Sequence, residues 1–351
     1  MHLIKSERYI AALKKINCEG LSGKTVMITG ATGMIGSCLV DALAVWNQKQ
    51  KTPCRIVALS RRESTAKERF SYCWDAPYFQ FIEQDICKEP QNWPEKIDYI
   101  VHAASNADPK NFAKAPVDTL VANVMGTNFL LRYGLRHGMN RFLYVSSGEM
   151  YGQPDAQQHD FTEVYCGPID YSVSRACYPA GKRAAEVLCQ SYISQYGIDA
   201  VIVRPCHVFG PTMTRSDSRA VSEFLRNAVL GEKIAMKSAG LVERSHCYVV
   251  DAADAIFTVL LHGESGNAYN IADPACQMTI RDFAKLSAEA GNCQIVFENP
   301  SDLEIKGYSK VSRSVLDSAK LQKLGWKGQS DAKIAVAETV QILHEMNEVD
   351  I

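Results

Sequence analysis

One short run constrains this chain more than any other: Gly30-Ala31-Thr32-Gly33-Met34-Ile35-Gly36. It follows a short β-branched run, Thr25–Thr29, and opens a helical pattern over Ser37–Trp46. Glycines let the backbone turn from strand to helix within a few residues and come close to a ligand. The helix start adds free N–H groups and a partial positive charge. Such a turn suits the pyrophosphate of a nucleotide. A Gly-x-x-Gly-x-x-Gly string also serves plain turns, so the strand before it, the helix after it and the continued alternation carry the reading. No Gly-Lys-Ser/Thr ending follows, which excludes a P-loop.

The alternation does continue. Arg55–Ser60, Phe79–Glu83, Tyr99–His102, Phe142–Val145 and Ala200–Val203 read as further buried strands. Helical patterns cover Val117–His137 and Tyr178–Tyr196, and residues 3–17 form a weak amphipathic helix ahead of the break at Gly20-Leu21-Ser22-Gly23. Strands alternating with helices predict an α/β fold, a Rossmann-like doubly wound parallel sheet covered on both faces. After Arg204 the rhythm changes and Gly, Pro, Ser and Asp become frequent over residues 209–219, which predicts a smaller C-terminal lobe. The expected division is residues 1–208 and 241–272 for the nucleotide-binding domain, with 1–22 as a helical extension. Residues 209–240 and 273–351 then form the substrate lobe.

Composition narrows the partners. Lys plus Arg is 38 and Asp plus Glu is 39, so the formal charge is −1 and the basic surplus of a nucleic-acid binder is missing. No apolar stretch has the length of a membrane span, and the N-terminus carries no signal-peptide core. The 12 cysteines include no Cys-x-x-Cys pair, so they read as reduced, buried thiols of a cytoplasmic protein, and no metal site is expected.

Three more constellations carry chemistry. The second strand ends in Leu59-Ser60-Arg61-Arg62, where a carboxylate would bind a ribose 2′-hydroxyl; guanidinium groups suit a 2′-phosphate instead, so NADP is favoured over NAD. Asp85-Ile86 follows the third strand, where Asp85 either meets an adenine or caps a helix. Val145-Ser146-Ser147-Gly148-Glu149 closes the fifth strand at the sheet edge where ligands bind. Tyr178 and Lys182 lie four apart on one helix face, where the ammonium would lower the phenol pKa and make Tyr178 a general base.

In this order the elements resemble the extended short-chain dehydrogenase/reductases that modify nucleotide sugars, over nearly all of residues 23–345. Within them the likeness is greatest to the UDP-glucuronate decarboxylases. It rests on Ala107-Asp108-Pro109-Lys110-Asn111-Phe112 with Pro116; on Arg175-Ala176-Cys177-Tyr178 with Gly181, Lys182, Arg183 and Glu186; on Gly210-Pro211 with Met213, Arg219, Val221, Ser222 and Phe224; and on Arg244 ahead of Tyr248-Val249 and Asp251. Asn123-Val124 with Gly126, Thr127, Leu130 and Leu131 marks the wider family.

The resemblance implies a catalytic set of Ser147, Glu149, Tyr178 and Lys182. It implies a nicotinamide cofactor held by Gly30, Thr32, Gly33, Met34, Ile35, Gly36, Arg61, Arg62, Asp85, Ile86, Ala103, Ala104, Asn123, Tyr178, Lys182 and Pro205. For a nucleotide sugar it implies Asn106, His207, Arg219, Arg244 and Arg313, and for the assembly a homodimer through the Val117–His137 and Tyr178–Tyr196 helices. Two departures stand out. Gly148 occupies the position of the acid of sugar 4,6-dehydratases, and His207 replaces the usual Asn. Decarboxylation through a 4-keto sugar is the expected reaction. The alternatives are epimerisation, 4,6-dehydration, and a non-catalytic cofactor-binding role that the presence of both Tyr178 and Lys182 disfavours.

Overall fold

The structure is a computed structural model that describes residues 3–89, 93–154, 160–300 and 313–346. Six strands follow the apolar runs: β1 (Thr25–Thr29), β2 (Arg55–Ser60), β3 (Phe79–Glu83), β4 (Tyr99–His102), β5 (Arg141–Val145) and β6 (Ala200–Pro205). A seventh, Ala268–Ile271, completes one parallel sheet in the order Ala268–Ile271, β6, β5, β4, β1, β2, β3. β1 pairs with β2 on one side and β4 on the other, and both pairings end in register at Thr29, opposite Leu59 and His102. The winding therefore reverses between β1 and β4, and the loops leaving their C-terminal ends part there to form a crevice.

The helices of the described residues are α1 (Glu7–Leu13), α2 (Met34–Asn47), α3 (Glu63–Arg69), α4 (Pro109–Lys114), α5 (Pro116–Arg136), α6 (Cys177–Tyr196), α7 (Ala220–Leu230), α8 (Val249–His262), α9 (Ile280–Gly291), α10 (Ala319–Gln322) and α11 (Ala332–Glu345). Period-two alternation sends strand side chains to opposite faces. Val26 and Ile28 pack under α2 and α8 with Leu39, Leu43 and Ile256, while Met27 joins Leu130, Leu131, Ala185 and Cys189 under α5 and α6. Helix α2 starts three residues earlier than the apolar pattern suggests, because Gly33 serves as its N-cap.

The N-terminal extension is narrower than its pattern, a short turn and then α1, which Ser6 caps. It is stitched down by Tyr9, whose hydroxyl donates to the buried Asp41 of α2 at 2.9 Å. In the C-terminal lobe, β7 (His207–Phe209) pairs in parallel with His246–Tyr248, and Ile234–Met236 pairs with Ile295–Phe297. Glu243–Arg244 lies between Met278–Thr279 and Arg313–Ser314. Every cysteine is a free thiol. Among the described residues no helix is long and apolar enough to cross a membrane, and no cluster suited to a metal ion is present.

Candidate active site

The crevice at the sheet edge is a cleft of about 1770 Å³ that runs from the end of β2 to the C-terminal lobe. Its floor is the glycine turn. Gly30 has φ +66°, and a Cβ there would lie 2.7 Å from the Ala104 Cα. A Cβ on Gly36 would collide with the Gly30 carbonyl oxygen, so the first turn of α2 rests directly on the loop. No side chain caps that helix start, which leaves its N–H groups for a ligand. Two buried hydroxyls on the cleft wall, Ser60 Oγ and Ser146 Oγ, have no partner among the described residues. An uncapped helix start with two hydroxyls awaiting partners fits a dinucleotide.

Thr32, Gly33, Met34, Ile35, Ala103, Ala104 and Pro205 line this cleft. Arg61 and Arg62 line its outer end and are exposed. Asp85 and Ile86 also border it, but Asp85 Oδ1 accepts the Cys87 N–H at 2.9 Å, so the carboxylate caps a turn. Asn123 does not line the cleft. It is fully buried, donating to the Thr119 carbonyl at 2.8 Å and accepting from Ser105 and Tyr144, and so ties α5 to the sheet.

Ser147, Glu149, Tyr178 and Lys182 converge midway along the cleft. Ser147 Oγ accepts the Glu149 N–H at 3.2 Å and opens the short turn Gly148–Tyr151. Burial, with the negative charge of Glu149, pushes the Tyr178 phenol up to about 12; Ser147, Arg219 and Arg175 pull the other way. Lys182 lines the cleft beside Tyr178 and has a main-chain partner. Its ammonium donates to the Val145 carbonyl at 2.8 Å and lies 5.7 Å from the Tyr178 ring centroid. Burial lowers Lys182 itself to about 7.

Towards the C-terminal lobe, Asn106, His207, Arg219 and Arg244 line the cleft. Burial and the charges of Arg244, His246 and Arg219 hold His207 well below the usual imidazole range, so it meets a ligand as a neutral ring. Arg219 caps α7 and is bound to Asp217, with Nη2 to Oδ2 at 2.6 Å, while its Nη1 donates to the Val208 carbonyl. Its charge is therefore largely matched before any diphosphate arrives. Arg313 stands outside the cleft. It pairs with Asp160 at 2.6 Å and Glu243 at 2.9 Å, and its neighbour Ser314 reaches the wall instead.

A family model described as the NAD dependent epimerase/dehydratase family matches residues 26–272. The chain belongs to that family of enzymes. Two UDP-glucuronic acid decarboxylases of Arabidopsis thaliana are similar over nearly the whole length. Decarboxylase 3 is 32% identical over 323 residues, 91% of this chain and 88% of the relative. Decarboxylase 6 is 30% identical over 330 residues, 92% and 89% respectively. The fold matches a UDP-glucose 4-epimerase of Thermotoga maritima with a TM-score of 0.77 at 21% identity, covering 92% of this chain and all of that one. It also matches a dTDP-glucose 4,6-dehydratase of Streptomyces venezuelae with NAD bound, at 0.76 and 23%, covering 91% and 97%.

For a member of the NAD dependent epimerase/dehydratase family, two further site residues emerge whose roles were not legible in the sequence. Arg175 Nη2 donates to Glu149 Oε2 at 2.7 Å. Phe112 stacks on Tyr178 with ring centroids 4.5 Å apart. Both stand in the motifs that carry the resemblance. The side chains of Lys110 and Asn111, in the first of those motifs, lie outside the described residues.

Proposed function

We propose that this enzyme decarboxylates a UDP-glucuronate-like nucleotide sugar through a 4-keto intermediate. The observation that carries the reading is the Glu149 carboxylate beside the Ser147–Tyr178 pair. At the neighbouring position a Gly148 Cβ would already lie 3.2 Å from both methyls of Leu316. A second acid there would have to displace the Leu316 methyls by a few tenths of an ångström, and this chain carries none. The near-full-length likeness to decarboxylases supports the same reading.

The glycine turn, Ser60, Ser146 and Lys182 would hold a nicotinamide dinucleotide, which when bound supplies a reversible hydride acceptor. Arg61 and Arg62 lean its identity towards NADP. Ser147 orients the sugar 4-hydroxyl, and Tyr178 takes its proton. Burial and Glu149 oppose that transfer, while Arg219 and Arg175 favour it. Once C4 is a ketone, a carboxylate at C6 is β to it, and carbon dioxide leaves with the electron pair drawn into the C4 oxygen. Glu149 manages the proton at C5. Neutral His207 and Arg244 face the rest of the substrate from the C-terminal lobe. The exposed apolar residues Val117, Val121 and Met125 of α5 and Val187 of α6 support pairing with a second copy.

Mass spectrometry after incubation with UDP-glucuronate and either cofactor tests the reading, with carbon dioxide loss expected. Unchanged mass with a new retention time would make it an epimerase, and an unaltered substrate would sink the proposal. Tyr178→Phe is expected to keep the fold and lower turnover at least about a hundredfold.

A further inference from the structure

Arg175 stands at a junction of three groups. Its Nη2 donates to the Glu149 carboxylate at 2.7 Å, and its Cζ lies 4.6 Å from the centre of the Phe112 ring. Phe112 stacks on Tyr178 with 20° between the ring planes. Phe112 is 1% exposed and Tyr178 5%, so the stack has no room to slide. The junction joins three elements: α4 brings Phe112, the turn Ser174–Ala176 brings Arg175, and the turn after β5 brings Glu149.

The surroundings explain why a cation is needed there. Tyr178 is faced by Glu149, Ser147 and Arg175, by Arg219 at the start of α7, by Tyr144 of β5 and by Lys182 of its own helix. Glu149 is faced by Arg175, Tyr178, Cys177 and Arg244. Arg219 shares its charge with Asp217, and Lys182 is turned to the Val145 carbonyl. Among the described residues Arg175 is in direct contact with the Glu149 carboxylate, which opposes ionisation of the phenol.

We propose that Arg175 is a positioning residue for the proton step: it fixes the Glu149 carboxylate and offsets its charge beside the Tyr178 hydroxyl, with the Phe112 ring as the rigid spacer. This rests on the reading of Tyr178 as the proton acceptor. A guanidinium suits the task because its planar face lies on the aromatic ring while its edge meets the carboxylate, a geometry an ammonium reproduces only in part.

The experiment follows cofactor reduction by rapid mixing of the purified holoenzyme with UDP-glucuronate across pH. It compares the wild type with Arg175→Lys, Arg175→Met, Glu149→Gln and the Arg175→Met/Glu149→Gln double variant. Cofactor content checks that each is folded. Arg175→Met is expected to move the rising limb upward by about one pH unit, a roughly tenfold slower step at neutral pH. Arg175→Lys should restore most of the shift. In the Glu149→Gln background, removal of Arg175 should move the limb clearly less than in the wild type, because only the direct pull of Arg175 on the phenol is then lost and the carboxylate it offsets is gone. A limb in Arg175→Met that coincides with the wild type overturns the proposal, as does an equal shift in the Glu149→Gln background. If Arg175→Met does not fold, Arg175→Gln, which keeps a polar side chain without the charge, takes its place with the same expected shift and the same overturning result. Wild-type cofactor reduction in Tyr178→Phe would instead remove the base assignment. With Tyr178→Phe inactive, an unmoved limb counts against Arg175 alone.

Discussion

Lys182 is 2% exposed and satisfied by a main-chain carbonyl, not by a carboxylate. Its spacing from Tyr178 was legible in the sequence as one helix face; its partner was not, because the Val145 carbonyl arrives from a strand far away in the chain. Burial lowers the ammonium from 10.5 to about 7, and this fixes a sign. Below pH 7 folded and unfolded chains both carry the charge, and the burial penalty is full. Between about pH 7 and 10.5 the unfolded chain holds more protons, so this group makes stability rise with pH, at up to about 1.4 kcal/mol per unit. Buried tyrosines and cysteines with raised pKa values act oppositely above pH 9, so the clean observable is a difference. Lys182→Met should exceed the wild type in stability at pH 7, with the gap closing towards pH 10.5. Urea unfolding at a series of pH values measures it, and a constant gap would show that Lys182 is not held below its ordinary range. Asp85 and Asn123 teach a related lesson. Position after a strand or in a motif suggested contact with a ligand; Asp85 borders the cleft while one of its oxygens caps a turn, and Asn123 is consumed inside the fold.

At the scale of elements, the glycine turn is the part that local sequence specifies most fully. Strand, turn and helix start are adjacent in the chain, so no distant contact is needed to recognise them. The strand Ala268–Ile271 escaped notice for the converse reason. It has four residues, includes the buried polar Asn270, and is a strand only because β6 lies beside it. Two glycines separate conformational strain from close packing. Gly30 and Gly138 both have positive φ, +66° and +63°. Nothing lies within 4 Å of a Cβ at Gly138, whereas one at Gly30 meets the Ala104 backbone at 2.7 Å. Gly138→Ala should therefore cost about 1 kcal/mol, from the left-handed conformation alone. Gly30→Ala should cost at least about 2 kcal/mol and lose bound cofactor, because backbone must shift at the cleft floor. Denaturant midpoints with cofactor content report both, and equal losses in the two variants would show that the approach to Ala104 is not tight.

The whole molecule adds what neither residue nor element discloses. Arg313 resembles a diphosphate ligand in the sequence, yet the lobe places it between Asp160 and Glu243, charges that come together only when segments far apart in the chain fold around one another. The helix pair α5 and α6 is the larger case. Each buries one face under the sheet and against the other helix, which leaves Val117 70% exposed, Met125 40% and Val187 62%. Val117, Val121 and Met125 repeat every four residues, so they form one stripe along α5. A second copy related by a two-fold axis would cover the stripe with its own equivalent, a self-complementary patch. The same helices carry the site: Tyr178 and Lys182 stand on α6, and a Cβ at Gly181 would meet the Asn123 side chain of α5 at 3.3 Å. Covering the outer face should therefore hold the inner one in place. Sedimentation at micromolar concentration is expected to give twice the chain mass. Met125→Glu with Val187→Glu should give a folded monomer, since both side chains are on the exposed surface and outside the sheet cores. Turnover per chain should fall in that variant, and in the wild type it should fall on dilution in step with the dimer fraction. A wild type that sediments as one chain at every concentration, with turnover indifferent to dilution, would leave the stripe without its second copy.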